Sequence, residues 1–138
     1  MIRIFISYAH ADEALRQELG KHLASLKHQG RVEIWHDRLI DAGDEWAHAI
    51  DTNLQSADVI LLLVSADFIA SPYCYEVELK EAMRRHDASE AVVIPVILRP
   101  CDWHSLPFGK LQAATQDGRS IVKFPTLDEG FLEVVQAI

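Results

Sequence analysis

One carboxylate is the strongest candidate for chemistry because of its neighbours on a predicted helix. Glu78 lies two turns into a helix that Ser71 caps and Pro72 opens, and both residue types are favoured at those positions. Cys74 and Ala82 lie one turn to either side of Glu78 on the same helix face. Small neighbours leave a notch beside the carboxylate that is large enough for a ligand. We therefore expect the functional site at Glu78.

Other kinds of catalytic site are not indicated. The chain contains no Gly-x-Gly-x-x-Gly, no Gly-x-x-x-x-Gly-Lys and no Gly-x-Ser-x-Gly, so neither a phosphate-binding loop nor a nucleophile elbow is predicted. The seven histidines are interpreted as solvated surface residues, and we predict no metal site and no cofactor. Asp67, after an apolar strand, is a candidate phospho-acceptor of a receiver domain. That interpretation is weak because paired acidic residues, which would hold magnesium, do not directly follow the first strand.

The composition describes one acidic domain. The chain has 138 residues, and 13 Lys and Arg against 21 Asp and Glu give a net charge of -8. Nucleic-acid binding needs clustered cations that neutralise phosphates, so we expect no nucleic-acid partner. The apolar runs are too short to cross a bilayer, so we expect no membrane partner. Two cysteines are too few for a disulfide framework, which favours reduced thiols and a cytoplasmic location.

Apolar periodicity predicts strands that alternate with helices. The predicted strands are residues 2–7, 32–35, 59–64, 91–98 and 120–124. The predicted helices are residues 12–28, 45–55 and 72–86, and a last helix from Leu127 onward. Pro95 cannot donate to a ladder, so the fourth strand is expected near a sheet edge or bulged there.

Alternating strands and helices imply a parallel sheet with right-handed crossovers. We predict an α/β, flavodoxin-like three-layer sandwich, in which a five-stranded parallel sheet of order 2-1-3-4-5 has helices on both faces. Ligands bind such sheets beyond the carboxyl ends of the strands, at the switch point between strands 1 and 3. Glu78, on the helix fed by strand 3, is therefore expected near that crevice. The uncapped apolar end at 134–138 leads us to expect that residues 1–138 are a single domain of a longer protein.

The order of six motifs resembles a Toll/interleukin-1 receptor (TIR) domain of the bacterial, NAD-cleaving kind. They are residues 5–8 (FISY), 35–38 (WHDR), 42–46 (AGDEW), 57–65 (ADVILLLVS), 73–75 (YCY) with Glu78, and 94–100 (IPVILRP). Each motif alone is weak, but together they extend over the whole chain. The fold of this family is the flavodoxin-like sheet already predicted.

The resemblance implies an enzyme that cleaves NAD+, its substrate, at the nicotinamide–ribose bond. Attack by water gives ADP-ribose, and attack by the adenine ring gives a cyclic ADP-ribose. The family further implies head-to-tail assembly with other copies of the domain, a sensor module elsewhere in the protein, and a role in bacterial anti-phage immune signalling. The alternative within the family is a non-catalytic scaffold for homotypic contacts, and a receiver domain is a distant third.

The resemblance also assigns residue roles. The required glutamate of the enzymes matches Glu78, which Leu79 follows; Glu76 competes, but a residue two positions away points about 200° around a helix, so only one can face the crevice. The implied substrate-binding residues are Ser7, Tyr8, His10, Asp37, Asp41, Gly43, Trp46, Tyr73 and Cys74. Tyr73 matches a position that stacks on a nucleotide ring. Ser7 is equally consistent with a strand-end hydrogen bond, and core packing is the stronger interpretation of Trp46, because Ile50 and Leu54 continue its apolar face.

Overall fold

Four parallel strands form the sheet at the centre of the molecule. The computed structural model describes all 138 residues. The strands are β1 (Ile2–Ser7), β2 (Val32–Trp35), β3 (Val59–Val64) and β4 (Val92–Ile97), in the order β2-β1-β3-β4. β1 and β3 pair from Ile4 opposite Val59 to Ser7 opposite Leu62, so their carboxyl ends lie side by side. The predicted parallel sheet and the order of its first four strands are confirmed.

Five α-helices connect and flank the strands. They are α1 (Glu13–His28), α2 (Trp46–Ser56), α3 (Ala66–Ala70), α4 (Leu79–Asp87) and α5 (Leu127–Ala137), and a π-helical turn, Tyr73–Glu78, runs directly into α4. The sequence does not predict the short α3, which Ser65 caps by accepting a hydrogen bond from the Phe68 amide at 3.1 Å. No helix is long and apolar enough to cross a membrane.

The sheet has a separate hydrophobic core on each face. On one face, the buried leucines of α1 and Phe131 of α5 pack against β1 and β3. On the other face, α2, α3, the π-turn and α4 pack against Phe5, Ile60 and Leu62. Both faces of β3 are buried, which explains its unbroken apolar sequence. This second core also carries the helix that positions Glu78.

The predicted fifth strand at 120–124 does not form, and the prediction of five strands is wrong. Ile121–Lys123 makes a single 3-10 turn, and the Val122 amide donates to the carbonyl of Leu98 just beyond β4. The Leu98 amide points toward β3, so Pro95, three residues earlier, faces the opposite, free edge. Pro95 has no N–H to donate there, which interrupts the ladder that a fifth strand would need. The edge position that Pro95 predicts for β4 is confirmed.

Candidate active site

A cleft of about 560 Å³ lies beyond the carboxyl ends of β1 and β3, where the topology predicts a ligand. Small-molecule sites usually measure about 300–1,000 Å³, so the cleft has the size of a ligand site. The predicted site residues that line it are Tyr8, His10, Asp37, Trp46, Tyr73, Cys74 and Glu78. The sequence analysis did not assign the other lining residues to the substrate site; they are Ala9, Ala11, Ile50, Asp67 and Ser71.

Glu78 is a buried carboxylate that faces this cleft, and only 6% of its surface is exposed. Ser7, the last residue of β1, donates its hydroxyl to Oε1 of Glu78 at 2.8 Å. No nitrogen or oxygen donor of the chain bonds the second oxygen, Oε2, of Glu78. Burial raises the pKa of Glu78 to about 7, although the bond from Ser7 opposes the rise. Ser7 therefore holds the carboxylate and leaves one oxygen for a ligand.

The π-turn places Tyr73 and Glu78 on the same side of the helix. In an α-helix, residues five positions apart point about 140° away from each other. Here the Leu79 amide bonds the Cys74 carbonyl, five residues back, which widens the turn. Residues five apart then return to the same face, and both side chains line the cleft. The turn thus brings an aromatic ring to the carboxylate.

The environments of the two neighbouring glutamates differ as the helix geometry requires. Glu76 is exposed, whereas Glu78 is buried. Ser71 caps this helix as expected, with its hydroxyl accepting from the Cys74 amide at 3.2 Å. Ala82, however, is fully buried in the core and does not line the cleft. The notch expected between Cys74 and Ala82 is therefore formed on the Cys74 side only.

Trp46 lies at the rim of the cleft, and the core position favoured from its apolar spacing is wrong. Its surface is 57% exposed, although Ile50 and Leu54 of the same helix are buried as expected. Trp46 is the first residue of α2, so it extends past the edge of the sheet core. Its ring meets the ring of Tyr73 edge-on, with 5.2 Å between centroids. The two rings form an aromatic wall beside Glu78.

His10 and Asp37 pair across the mouth of the cleft. The Nε2 atom of His10, in the 3-10 turn His10–Asp12 after β1, lies 2.5 Å from Oδ2 of Asp37, which follows β2. The other oxygen of Asp37, Oδ1, has no hydrogen-bond partner. This pair joins two loops that the chain separates by 27 positions. The negative charge of Asp37 raises the pKa of Glu78, and His10 opposes that rise.

Sequence reasoning missed a partly buried network of ion pairs beside the cleft. Arg99, just beyond β4, contacts Asp12 at 2.8 Å and Asp67 at 2.5 Å. Asp12 is buried and accepts a hydrogen bond from the Ser65 hydroxyl at 2.5 Å. Asp67 lies on α3 rather than at the end of β3, where a receiver domain has its phospho-acceptor, and its carboxylate accepts a hydrogen bond from Arg99. Only folding brings these four residues together.

Two further side chains fix the loop after β1. The Cys74 thiol donates to the Tyr8 carbonyl at 3.3 Å, and burial raises the pKa of Cys74 to about 12, so this thiol is not a nucleophile at neutral pH. The Tyr8 hydroxyl donates to Glu13 of α1. Burial favours the neutral form of Glu13, but hydrogen bonds from Arg16 and Tyr8 outweigh it and lower the pKa of Glu13 to about 2. Glu13 is thus a permanent anchor for Tyr8.

Of the predicted site residues, Ser7 bonds Glu78 without lining the cleft, and the structure does not bring Asp41 and Gly43 to the cleft. Both are exposed in the segment between Asp37–Leu39 and α2, and neither lines the cavity. Gly43 has a φ of +92°, so it serves a turn in this segment. No cluster of three or more His, Cys, Asp or Glu side chains could hold a metal ion.

Comparisons with known proteins agree with this arrangement. Residues 4–125 match the sequence model of the TIR domain family. An uncharacterized protein called y4lF from Sinorhizobium fredii (strain NBRC 101917 / NGR234) is 56% identical over 138 residues, which are 100% of this chain and 43% of the relative. The chain therefore spans less than half of the length of that curated relative.

Two solved structures share the fold at low sequence identity. The TIR domain of the Toll-related receptor TRR-2 from Hydra magnipapillata gives a TM-score of 0.62 at 18% identity over 80% of each chain. The TIR domains of the activated Roq1 resistosome, which directly recognizes the pathogen effector XopQ, give a TM-score of 0.60 at 19% identity, over 99% of this chain and 84% of theirs. At these identities the likeness shows the fold alone.

Proposed function

The chain belongs to the TIR domain family, and we propose that it cleaves the nicotinamide–ribosyl bond of NAD+ in the cleft that Glu78 faces. The family includes both NAD+-cleaving enzymes and scaffolds, so membership alone does not distinguish the two functions, and the choice between them depends on the residues of the site. The observation that favours the enzyme is a buried carboxylate with a free oxygen in a ligand-sized cleft. A surface used only for contacts does not require such a buried group, because burial of a carboxyl group costs stability.

The proposed reaction needs one carboxylate and no acid. When the bond between ribose C1′ and the pyridinium nitrogen breaks, the electron pair goes to the ring and releases neutral nicotinamide. The ribosyl carbon becomes electron-poor, as in glycoside hydrolysis. Oε2 of Glu78 faces that charge and stabilises it as it develops, while Ser7 holds Oε1. Water then attacks C1′ to give ADP-ribose, or the adenine ring attacks to give a cyclic ADP-ribose.

The pKa of about 7 suits this role. In the empty cleft near neutral pH, both the neutral and the ionised forms of Glu78 are populated. A bound pyridinium cation favours the ionised form, because an opposite charge nearby lowers the pKa of a carboxyl group. The aromatic wall of Trp46 and Tyr73 offers a flat surface on which a ring of the substrate can stack.

We propose that self-assembly controls this activity. Trp46, at the rim of the cleft, is more than half exposed, so one copy of the chain leaves the substrate partly uncovered. Head-to-tail contacts of the kind implied by the family would cover it, and such heterologous contacts form filaments rather than closed dimers. In this proposal the domain acts in the cytoplasm in anti-phage immune signalling, and a sensor module elsewhere in the protein triggers assembly.

The test is nicotinamide release from NAD+, followed over a wide range of protein concentration. We expect the turnover per chain to rise with concentration, and we expect Glu78→Gln to lower it about a hundredfold, the equivalent of about 3 kcal/mol of lost charge stabilisation. Glu76→Gln is the matched control, because that exposed residue undergoes the same chemical change two positions away. Equal rates for Glu78→Gln and the wild type would remove Glu78 from the mechanism. No release from the assembled wild type would favour a non-catalytic scaffold.

A further inference from the structure

The cleft contains negative charge and no lysine or arginine. Its charged lining residues are Asp37, Asp67 and Glu78, and the only basic group among them, His10, is already paired with Asp37. NAD+ carries a pyrophosphate with two negative charges in addition to its pyridinium cation. An anion inside this cleft would therefore meet carboxylates without a compensating cation, which is unfavourable in a partly desolvated site.

The arginines of the segments around the cleft are paired with carboxylates rather than directed into it. Arg99 binds both Asp12 and Asp67, so this group of three retains a net negative charge. Arg16 donates to Glu13 at 2.6 Å, and Arg38 lies 3.6 Å from the same carboxylate. None of these three arginines lines the cleft. A phosphate inside the cleft would therefore find no arginine or lysine among the lining residues.

The second opening beside Glu78 is also acidic. A cavity of about 470 Å³ between α2 and the π-turn shares Ile50, Tyr73 and Glu78 with the cleft. Its other charged residues are Asp51, Glu76, Lys80 and Glu81, a net charge of -2 even without Glu78. Phosphates are therefore disfavoured on both sides of the carboxylate, whereas a cation is favoured on both.

We infer that the cleft recognises the phosphate-free, cationic half of its substrate, so that N-ribosylpyridinium nucleosides such as nicotinamide riboside are substrates in their own right. This inference rests on the proposed cleavage of NAD+ and identifies which part of the dinucleotide the cleft of one chain binds. The diphosphate and the adenosine of NAD+ lie outside the cleft.

The reaction of the nucleoside is the same bond cleavage. The bond from C1′ to the ring nitrogen breaks, its electron pair passes to the ring, and nicotinamide leaves. A water oxygen bonds C1′ and loses one proton to solvent, so that nicotinamide riboside and water give nicotinamide, ribose and a proton.

The experiment compares nicotinamide release from nicotinamide riboside and from NAD+ by the same assembled chain. We expect kcat/KM for the riboside to equal or exceed that for NAD+. Between about 0.01 and 0.15 M salt, where the Debye length shortens from about 30 to about 8 Å, we expect the KM of the cationic riboside to rise and that of anionic NAD+ to fall. If the chain cleaves NAD+ but does not cleave nicotinamide riboside, the inference is overturned, whereas the proposed function stands.

Charge-neutral variants locate the effect in the cleft. The quantity to compare is kcat/KM for the riboside divided by kcat/KM for NAD+. We expect Asp37→Asn and Asp67→Asn each to lower this ratio about fivefold, because each removes a negative charge that favours the cationic riboside. Because both substrates react at Glu78, any change in its ionisation affects both values and cancels in the ratio. Asp87→Asn, at the far end of α4, removes the same charge and should leave the ratio unchanged. If all three variants have the same ratio as the wild type, the inference is overturned.

Measured dissociation constants of the riboside and of NAD+ test this inference independently of the proposed catalysis. If neither compound releases nicotinamide, the proposed function fails, but the dissociation constants of both still report which charge the cleft prefers. Titration of the isotope-labelled chain, followed by NMR at Tyr73 and Trp46, should then show tighter binding of the riboside. Tighter binding of NAD+ at those rings would overturn the inference.

Discussion

Replacing Glu78 by glutamine should stabilise the protein at alkaline pH. The pKa of Glu78 is about 7 in the folded protein, mainly because of burial, against an ordinary value of 4.5. Between these two pH values the unfolded chain has lost the Glu78 proton while the folded chain retains it, so ionisation favours unfolding. Glutamine has nearly the same shape, and its side-chain carbonyl can accept the Ser7 hydroxyl. Because glutamine does not ionise, the variant does not lose stability as the pH rises.

The size of the effect follows from the two pKa values. A tenfold change in an equilibrium constant corresponds to about 1.4 kcal/mol, so a pKa that moves from 4.5 to about 7 corresponds to about 3 kcal/mol. The contribution of neutral Glu78 to stability is fully present below pH 4.5 and is lost as the pH rises to about 7. The variant should therefore equal the wild type at acidic pH and exceed it by about 3 kcal/mol at about pH 8.

The assay is denaturant unfolding of both proteins at several pH values from about 4.5 to about 8. The difference in free energy of unfolding isolates Glu78, since all other titrating groups are shared. Glu76→Gln serves as the control, because it makes the same chemical change at an exposed position two residues away. A difference that stays constant with pH, or a variant that is less stable at about pH 8, would refute the assignment of a raised pKa to Glu78.

Three other substitutions test particular contacts. Ser7→Ala removes the hydrogen bond to Glu78 and should raise the pKa of that carboxyl group further, so nicotinamide release at neutral pH should fall about tenfold and recover as the pH rises. Arg85→Met leaves the buried carbonyls of Leu54 and Ala57 without their donor, and unfolding experiments should show a loss of about 2 kcal/mol or more. Gly118→Ala would place a Cβ atom 2.6 Å from the Trp103 ring at a φ of +66°, and the same experiments should show a loss of about 2 kcal/mol or more.

The local pattern of apolar runs and turn residues was sufficient to predict most of the sheet. The first three strands have the predicted bounds because apolar residues in short runs between turn signals describe buried parallel strands. Pro95 indicated an edge because its missing N–H is a local covalent property. The error at 120–124 has the opposite cause: strand formation there depends on a partner edge, and a short apolar run does not reveal whether that edge can pair.

The candidate site was predictable to the extent that topology places loops. Parallel strands bring the loops after β1 and β3 to one edge, and Glu78 followed from that placement together with the family resemblance. Asp41 and Gly43 come from the same loop as Trp46, but an exposed loop does not constrain which of its residues turn toward a cleft. Trp46 itself shows that helical spacing gives the direction of a face but not where the core ends along the helix.

The sequence by itself determined the first four strands, the longer helices, the edge position of β4 and the net charge, and it singled out the carboxylate of the candidate site, because each depends on residue type or on spacing of a few positions. Only the tertiary structure decided three properties of the site. The π-turn brought Tyr73 to the face of Glu78, burial raised the pKa of that carboxyl group, and long-range pairing placed Arg99 against Asp12. The raised pKa and the ion pair depend on groups that are distant in sequence, and their energies exist only after the chain has excluded water between them.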